Sequence, residues 1–217
     1  MIPTNQIIQG DCREVLKTFP KESVDCIITD PPFGIKKKEI IGDESLKTYE
    51  TTLPFLYDVL KRNKWFITFV SVERIKEVLE LTEQYFDYVW LGFIYYSNME
   101  RILHTPVGFS KISLFCIFKK GSPKKHYWLR DVLIYVYNRN ENFYNHPSPK
   151  PLEPIIELVK FGSKLDEIVL DPFCGTGTTC LAAKEVGRKY IGIEIDSTYI
   201  KTSLHRLSLT TTSLKEW

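Results

Sequence analysis

Apolar residues in this chain form short unbroken runs separated by stretches in which they recur every three or four positions. Residues 7–9, 23–29, 65–70, 88–96, 112–118, 168–171 and 190–195 are built around such runs, too short for helices and read as strands, and 132–136 is a further short apolar run. Between them, Val15, Leu16 and Phe19 predict a helix over 12–19 that stops at Pro20, and Leu53, Leu56, Tyr57 and Leu60 predict one over 52–62. Further helices are expected over 73–85, 152–161, 180–186 and 197–209. Strands alternating with helices predict a doubly wound α/β sheet. The run at 112–118 follows its predecessor without a helix, so an antiparallel strand is expected there. Residues 97–109 read as a loop, 121–150 as the least regular part, and 210–217 as a frayed tail. Residues 35–50 carry charges without periodicity and read as a mobile loop, where a substrate lid would sit.

Composition narrows the class. A chain of 217 residues with 43% hydrophobic content can bury one substantial core, and a single domain over 1–217 is expected. The net charge of +2 argues neither for nor against nucleic acid. Cys12, Cys26, Cys116, Cys174 and Cys180 include no C-x-x-C pair. They read as reduced thiols, and no metal site is expected. No basic, apolar leader opens the chain and no run approaches a membrane span, so a soluble, cytoplasmic protein is expected.

Two strand ends carry chemistry. After the 168–171 run, Pro172-Phe173-Cys174-Gly175-Thr176-Gly177-Thr178-Thr179 breaks into a glycine turn and then a helix. Glycines let a ligand approach the backbone, and the helix start offers unpaired N–H groups. The third glycine of a dinucleotide fingerprint is missing, and no G-K-[ST] makes a phosphate loop. Glu194 lies at the end of the next strand, where a carboxylate can accept from ribose hydroxyls. Far upstream stands Asp30-Pro31-Pro32-Phe33. Its prolines stiffen an extended backbone, so the Asp30 carboxylate and the Pro31 carbonyl become two fixed acceptors. Together they can accept both N–H groups of an exocyclic amine and aim its lone pair outward. Phe33 offers a face for base stacking, worth about 1–3 kcal/mol in nucleic-acid sites. Alone, Asp-Pro-Pro-Phe could be an ordinary turn; joined to the glycine loop and Glu194 it reads as a site.

These motifs, with Gly10-Asp11, His146-Pro147-Ser148-Pro149-Lys150-Pro151 and Gly192-Ile193-Glu194, resemble those of the β-class DNA amino-methyltransferases, specific for N6-adenine or N4-cytosine. The resemblance spans nearly the whole chain, with the catalytic motif preceding the cofactor loop, a circularly permuted order. It implies a Rossmann-like class I methyltransferase fold, a mostly parallel twisted sheet with one antiparallel strand and helices on both faces. It implies S-adenosylmethionine as cofactor. Asp30, Pro31, Pro32 and Phe33 would hold the target base as the catalytic set. Asp171, Phe173, Cys174, Gly175, Thr176, Gly177 and Thr178 would surround the cofactor's methionine part, with Lys150 and Pro151 nearby. Glu194 would take the ribose, and Asp11 and Cys12 the adenine end. No metal is implied.

The implied partner is DNA with a flipped adenine, the extrusion costing a few kcal/mol. Asp30 in place of serine resembles the N6-adenine enzymes more than the N4-cytosine ones. An N4-cytosine or RNA-base target, or a non-catalytic DNA-binding subunit, stays open. Two departures stand out: Phe33 replaces a common tyrosine, and only about 97–150 is available for target recognition. A homodimer or a companion specificity subunit could supply the rest. Lys36, Lys37, Lys38, Lys119, Lys120, Lys124 and Lys125 are candidate phosphate contacts, or simply solvated loop charges. His104 and His126 read as loop polar groups, and Tyr95 and Tyr96 as core or strand surface.

Overall fold

The computed structural model describes residues 2–34, 41, 45–98, 103–105, 108–136 and 150–209, with backbone alone for 103–105 and 108–110. In chain order the elements are β1 (Gln6–Gln9), α1 (Cys12–Leu16), β2 (Val24–Thr29), α2 (Lys47–Val59), β3 (Leu60–Val70) and α3 (Ile75–Thr82). Then come β4 (Asp87–Tyr96), β5 (Leu103–Thr105), β6 (Gly108–Ser110), β7 (Ile112–Lys120) and β8 (Val132–Tyr135). The chain closes with α4 (Leu152–Gly162), β9 (Ile168–Asp171), α5 (Thr178–Glu185), β10 (Lys189–Glu194) and α6 (Ser197–Leu209).

Eight strands form one sheet in the order β1-β10-β9-β2-β3-β7-β4-β8. β7 runs against both neighbours, β3 and β4, while every other pairing is parallel. The expected parallel sheet with one antiparallel strand is therefore the observed one. A parallel sheet must be covered on both faces. On one face, Cys26, Ile28, Ile67 and Val169 pack with Ile155, Leu158, Ala182 and Leu207 from α4, α5 and α6. On the other, Ile27, Phe66, Leu170 and Ile191 pack with Leu16, Leu53, Leu56 and Val78 from α1, α2 and α3. Alternation along each strand thus builds two cores from one sheet.

β2 and β9 lie side by side, with Cys26 opposite Val169 and Ile27 opposite Leu170. That pairing brings the end of β2, where Asp30 follows, next to the end of β9, where the glycine loop begins.

Two expectations are corrected. The helix expected over 52–62 is α2, and it stops at Val59 because Lys61 and Lys64 bulge out to meet Asp25, with Nζ to Oδ1 distances of 2.8 and 3.2 Å. Those two ion pairs take the chain into β3 early. The loop expected over 97–109 contains the small antiparallel hairpin of β5 and β6, with His104 opposite Phe109. The side chain of His104, Lys36, Lys37, Lys38, the 146–149 motif and the 210–217 tail lie outside the described residues, as does most of the expected loop over 35–50, whose last residues, Lys47 to Glu50, form the first turn of α2 instead.

Candidate active site

A cleft opens at the carboxyl ends of β1, β10, β9, β2 and β3. Gly10, Asp11 and Cys12 line it, with Asp30 to Phe33, Lys150, Asp171 to Thr176, Thr178 and Glu194. The predicted residues that do not line it are Pro151 and Gly177. Pro151 is buried at the N-cap of α4, and its ring restricts the backbone of Lys150 to extended conformations. Gly177 is the left-handed N-cap of α5 at φ 79°, and a Cβ there would lie 2.8 Å from Ser203 Cβ on α6. Its function is therefore to turn the loop and let α6 pack close.

Asp30 stands immediately beyond β2. Lys150 Nζ donates to its Oδ2, and the ammonium also lies 4.8 Å from the centre of the Phe69 ring. The other oxygen, Oδ1, is buried with no hydrogen-bond partner among the described residues. A buried acceptor left unmade costs about 1–3 kcal/mol, so an idle one in a cleft marks a place for a donor. Arg74 reaches the carbonyl of Gly34 at 3.4 Å, tying the end of this segment to the turn before α3.

The opposite wall is stitched by carboxylates to backbone N–H groups. Asp171 Oδ1 accepts from Thr29 Oγ1 at 2.9 Å and from Phe173 N at 3.1 Å, bridging β9, β2 and the loop. Burial pushes its carboxyl up to about 7 against these hydrogen bonds. Glu194 Oε2 accepts from Gly175 N at 2.7 Å, while Oε1 accepts from Ile195 N and Asp196 N at 2.9 and 2.8 Å. Burial raises its carboxyl too, with those N–H groups opposing. An oxygen with a single donor can still accept a second, so Oε2 keeps capacity toward the cleft. Beneath the loop, Cys174 is held far above the usual thiol range, first by its hydrogen bond with Cys180 and then by burial. A thiol so held is a poor nucleophile.

At the third corner Asp11 caps α1, accepting from Arg13 N and from Arg13 Nε, each at 2.9 Å. The Arg13 side chain holds its carboxyl below the ordinary value despite partial burial. Cys12 is 5% exposed, lies 3.6 Å from Thr52 Oγ1, and is pushed up to about 11 by burial.

Sequence reasoning missed several residues of the cleft. Arg13, Phe69, Ile155, Pro172, Thr179, Asp196 and Tyr199 line it. Pro172 and Thr179 sat inside the quoted glycine motif; the others carry no local signal. Arg206 on α6 was missed as well. Its NH1 reaches Thr176 O at 2.7 Å and the hydroxyls of Thr176 and Thr178 at 3.1 and 3.0 Å, clamping the glycine loop from below.

Of the candidate phosphate contacts, Lys119 and Lys120 lie away from the cleft. β7 is antiparallel, so its last residues, Lys119 and Lys120, pair with Trp65 and Lys64 at the start of β3, the sheet end away from the cleft. Lys120 is 8% exposed and its Nζ donates to Tyr57 O and Leu60 O at 2.7 and 2.6 Å, closing the end of α2. Tyr96 is buried, its hydroxyl 3.3 Å from Ser113 Oγ, and Tyr95 is surface.

A parallel sheet with one reversed strand between β3 and β4, and a carboxylate-lined cleft at its carboxyl edge, defines a Rossmann-like class I methyltransferase. Residues 110–205 match the family described as DNA methylase. The Escherichia coli (strain K12) protein YubD is 30% identical over 209 residues, covering 94% of this chain and 90% of its own. DNA adenine methyltransferase YhdJ of the same organism is 29% identical, covering 94% and 82%. Among solved structures, PvuII DNA methyltransferase (cytosine-N4-specific) superposes with a TM-score of 0.79 at 18% identity, covering 99% of this chain and 89% of that one. The chain belongs to the N6-adenine/N4-cytosine DNA methyltransferase family, the DNA amino-methyltransferases. Their methyl donor is S-adenosylmethionine, with which members have been crystallised.

Proposed function

We propose that this protein transfers a methyl group from S-adenosylmethionine to the N6 amino group of adenine in DNA. The observation that carries the reading is the idle Oδ1 of Asp30, a buried acceptor in a cleft shared with the glycine loop. Adenine is favoured over cytosine by aspartate at the head of the Pro-Pro-Phe motif and by the 29% identity to an adenine methyltransferase across 94% of the chain.

The cleft suits the cofactor. Gly175 and Gly177 have φ of 51° and 79° and shape a turn that leads into the N-terminus of α5, while Glu194 Oε2 has room for a ribose hydroxyl. Phe173 to Thr176 and Thr178 would hold the methionine part, and Asp11 and Cys12 the adenine end. When bound, S-adenosylmethionine supplies a methyl group on a positively charged sulfur. The chain's residues do the rest by placement. Asp30 Oδ1 and the Pro31 carbonyl accept the two amino protons, which turns the nitrogen lone pair away from the ring. Pro32 keeps that backbone stiff, and Phe33 stacks on the base in place of the hydroxyl-bearing ring common in the family. The conjugated amine becomes acidic once alkylated, so its surplus proton leaves to water without a strong base.

The stretch over 97–150 reads the target sequence, with a second copy or a specificity subunit extending the recognition surface, and the protein works in the cytoplasm. Nucleoside mass spectrometry of DNA from expressing cells tests the reading: N6-methyladenine is expected. N4-methylcytosine alone would move the protein to the other branch of its family.

A further inference from the structure

We propose that Lys150 is a positioning residue for Asp30: its ammonium holds Oδ2 so that Oδ1 stays turned toward the target amino group. This rests on the proposed methyl transfer at Asp30. Three observations carry it. First, the two carboxylate oxygens have unlike surroundings, since Lys150 Nζ occupies Oδ2 while Oδ1 is buried without a partner among the described residues. A free carboxylate rotates about its Cβ–Cγ bond; one anchored oxygen fixes where the other points.

Second, the lysine is itself held. Its side chain is 12% exposed, against 26% for Asp30, its Nζ lies 4.8 Å from the centre of the Phe69 ring, and its backbone is stiffened by buried Pro151. A lysine is ordinarily a flexible point charge; here ring, proline and burial remove that freedom. Third, a second carboxylate, Asp171, lines the same cleft at the end of the neighbouring strand β9. A cation on the far oxygen lets Asp30 remain beside that group without turning away.

The alternative partner for Lys150 is an anionic group of the cofactor, and the two assignments differ in what they control. A lysine that binds cofactor sets cofactor affinity. A lysine that orients Asp30 sets turnover at saturating cofactor.

The test uses Lys150→Met and Lys150→Arg in the full chain, with cofactor affinity by calorimetry and methyl transfer at saturating cofactor and DNA. Lys150→Met is expected to keep Kd for S-adenosylmethionine within about threefold while kcat falls about a hundredfold, the scale of an ångström's misplacement. Lys150→Arg, which still donates to Oδ2, is expected to recover most of kcat. In Asp30→Ala, adding Lys150→Met should cost little more, because a residue acting through Asp30 has nothing left to orient. A Kd raised tenfold or more with kcat unchanged overturns the proposal in favour of cofactor binding. If wild-type protein transfers no methyl group to DNA, the functional reading fails instead. The orientation is then decided by a crystal structure of Lys150→Met, or of Lys150→Gln should the first not fold. An Asp30 carboxylate unmoved in it refutes the positioning role.

Discussion

The two ends of β2 carry aspartates five residues apart, Asp25 within the strand and Asp30 just beyond it, and the molecule treats them in opposite ways. Asp25 is saturated. Lys61 and Lys64 meet Oδ1 at 2.8 and 3.2 Å, and Ile168 N donates to Oδ2 at 3.1 Å. Burial opposes its ionisation, yet the Lys61 hydrogen bond, the Ile168 N–H and the Lys64 charge outweigh it and hold the carboxyl below its ordinary value. Glu167 closes the network on Lys64, and Lys120 caps α2 nearby. Asp30 has one oxygen anchored and one idle. One end of the sheet uses its charges to hold strands together, and the other leaves one carboxylate oxygen without a partner among the described residues. The same residue type is structural or chemical according to whether its second oxygen is occupied.

This contrast can be broken most sharply at Asp30. Asp30→Ala is expected to lower methyl transfer by about 10²–10³-fold, the scale of removing one reaction-specific hydrogen bond, with cofactor affinity and melting temperature near wild type. Radiolabelled methyl incorporation and calorimetry measure both. Asp25→Ala should do the reverse. Breaking a buried ion pair costs roughly 3–5 kcal/mol, and here about 2–3 because Lys61 is 39% exposed, read by urea unfolding, while KM of the folded fraction stays put. A turnover defect without lost stability would erase the distinction between the two ends. Glu194→Gln should weaken cofactor binding about tenfold, as one charge-assisted hydrogen bond is lost, with little change in kcat at saturation.

The smallest effect concerns pH. The Asp171 carboxyl is raised to about 7 from 3.8. A group that prefers its neutral form when folded favours the native state below 3.8, and that contribution is lost as pH rises toward 7. Asp171→Asn, which retains an acceptor for Thr29 and Phe173, should therefore gain thermal stability relative to wild type between pH 5 and pH 8. Parallel melting curves check the sign. Asp25, shifted downward, loses its contribution only in acid, as pH falls below about 4.

The parts legible in the sequence were those fixed by local pattern. The buried run before Asp30 became β2, the glycine turn became the β9–α5 connection, and the missing helix before residue 112 correctly implied a reversed strand. What depended on distant partners was not legible. No periodicity shows that the expected helix ends at Val59, or that Lys61 and Lys64 in β3 meet Asp25. No motif shows that Arg206 reaches back to Thr176, or that a lysine 120 positions away pairs with Asp30. The basic residues of β7 looked available for phosphate because a sequence does not say which end of a sheet a strand end occupies. Once β7 is reversed, Lys119 and Lys120 are carried away from the cleft.

The adjacency of β2 and β9 has a consequence in time. Thr29 and Asp171, hydrogen-bonded in the finished protein, are separated by 142 positions. During synthesis at about 5–20 residues per second, the half of the site holding Asp30 waits on the order of ten seconds for its neighbour to emerge. Until then β2 has one open flank, a hydrophobic edge that must be kept from pairing with another nascent chain. Non-local parallel pairing of this kind is slow to form. The chain order therefore makes docking of β9 and β10 the step at which the polypeptide both closes its central sheet and first brings Asp30, the glycine loop and Glu194 to one cleft, so a chain interrupted before residue 168 is expected to be inert and prone to aggregate.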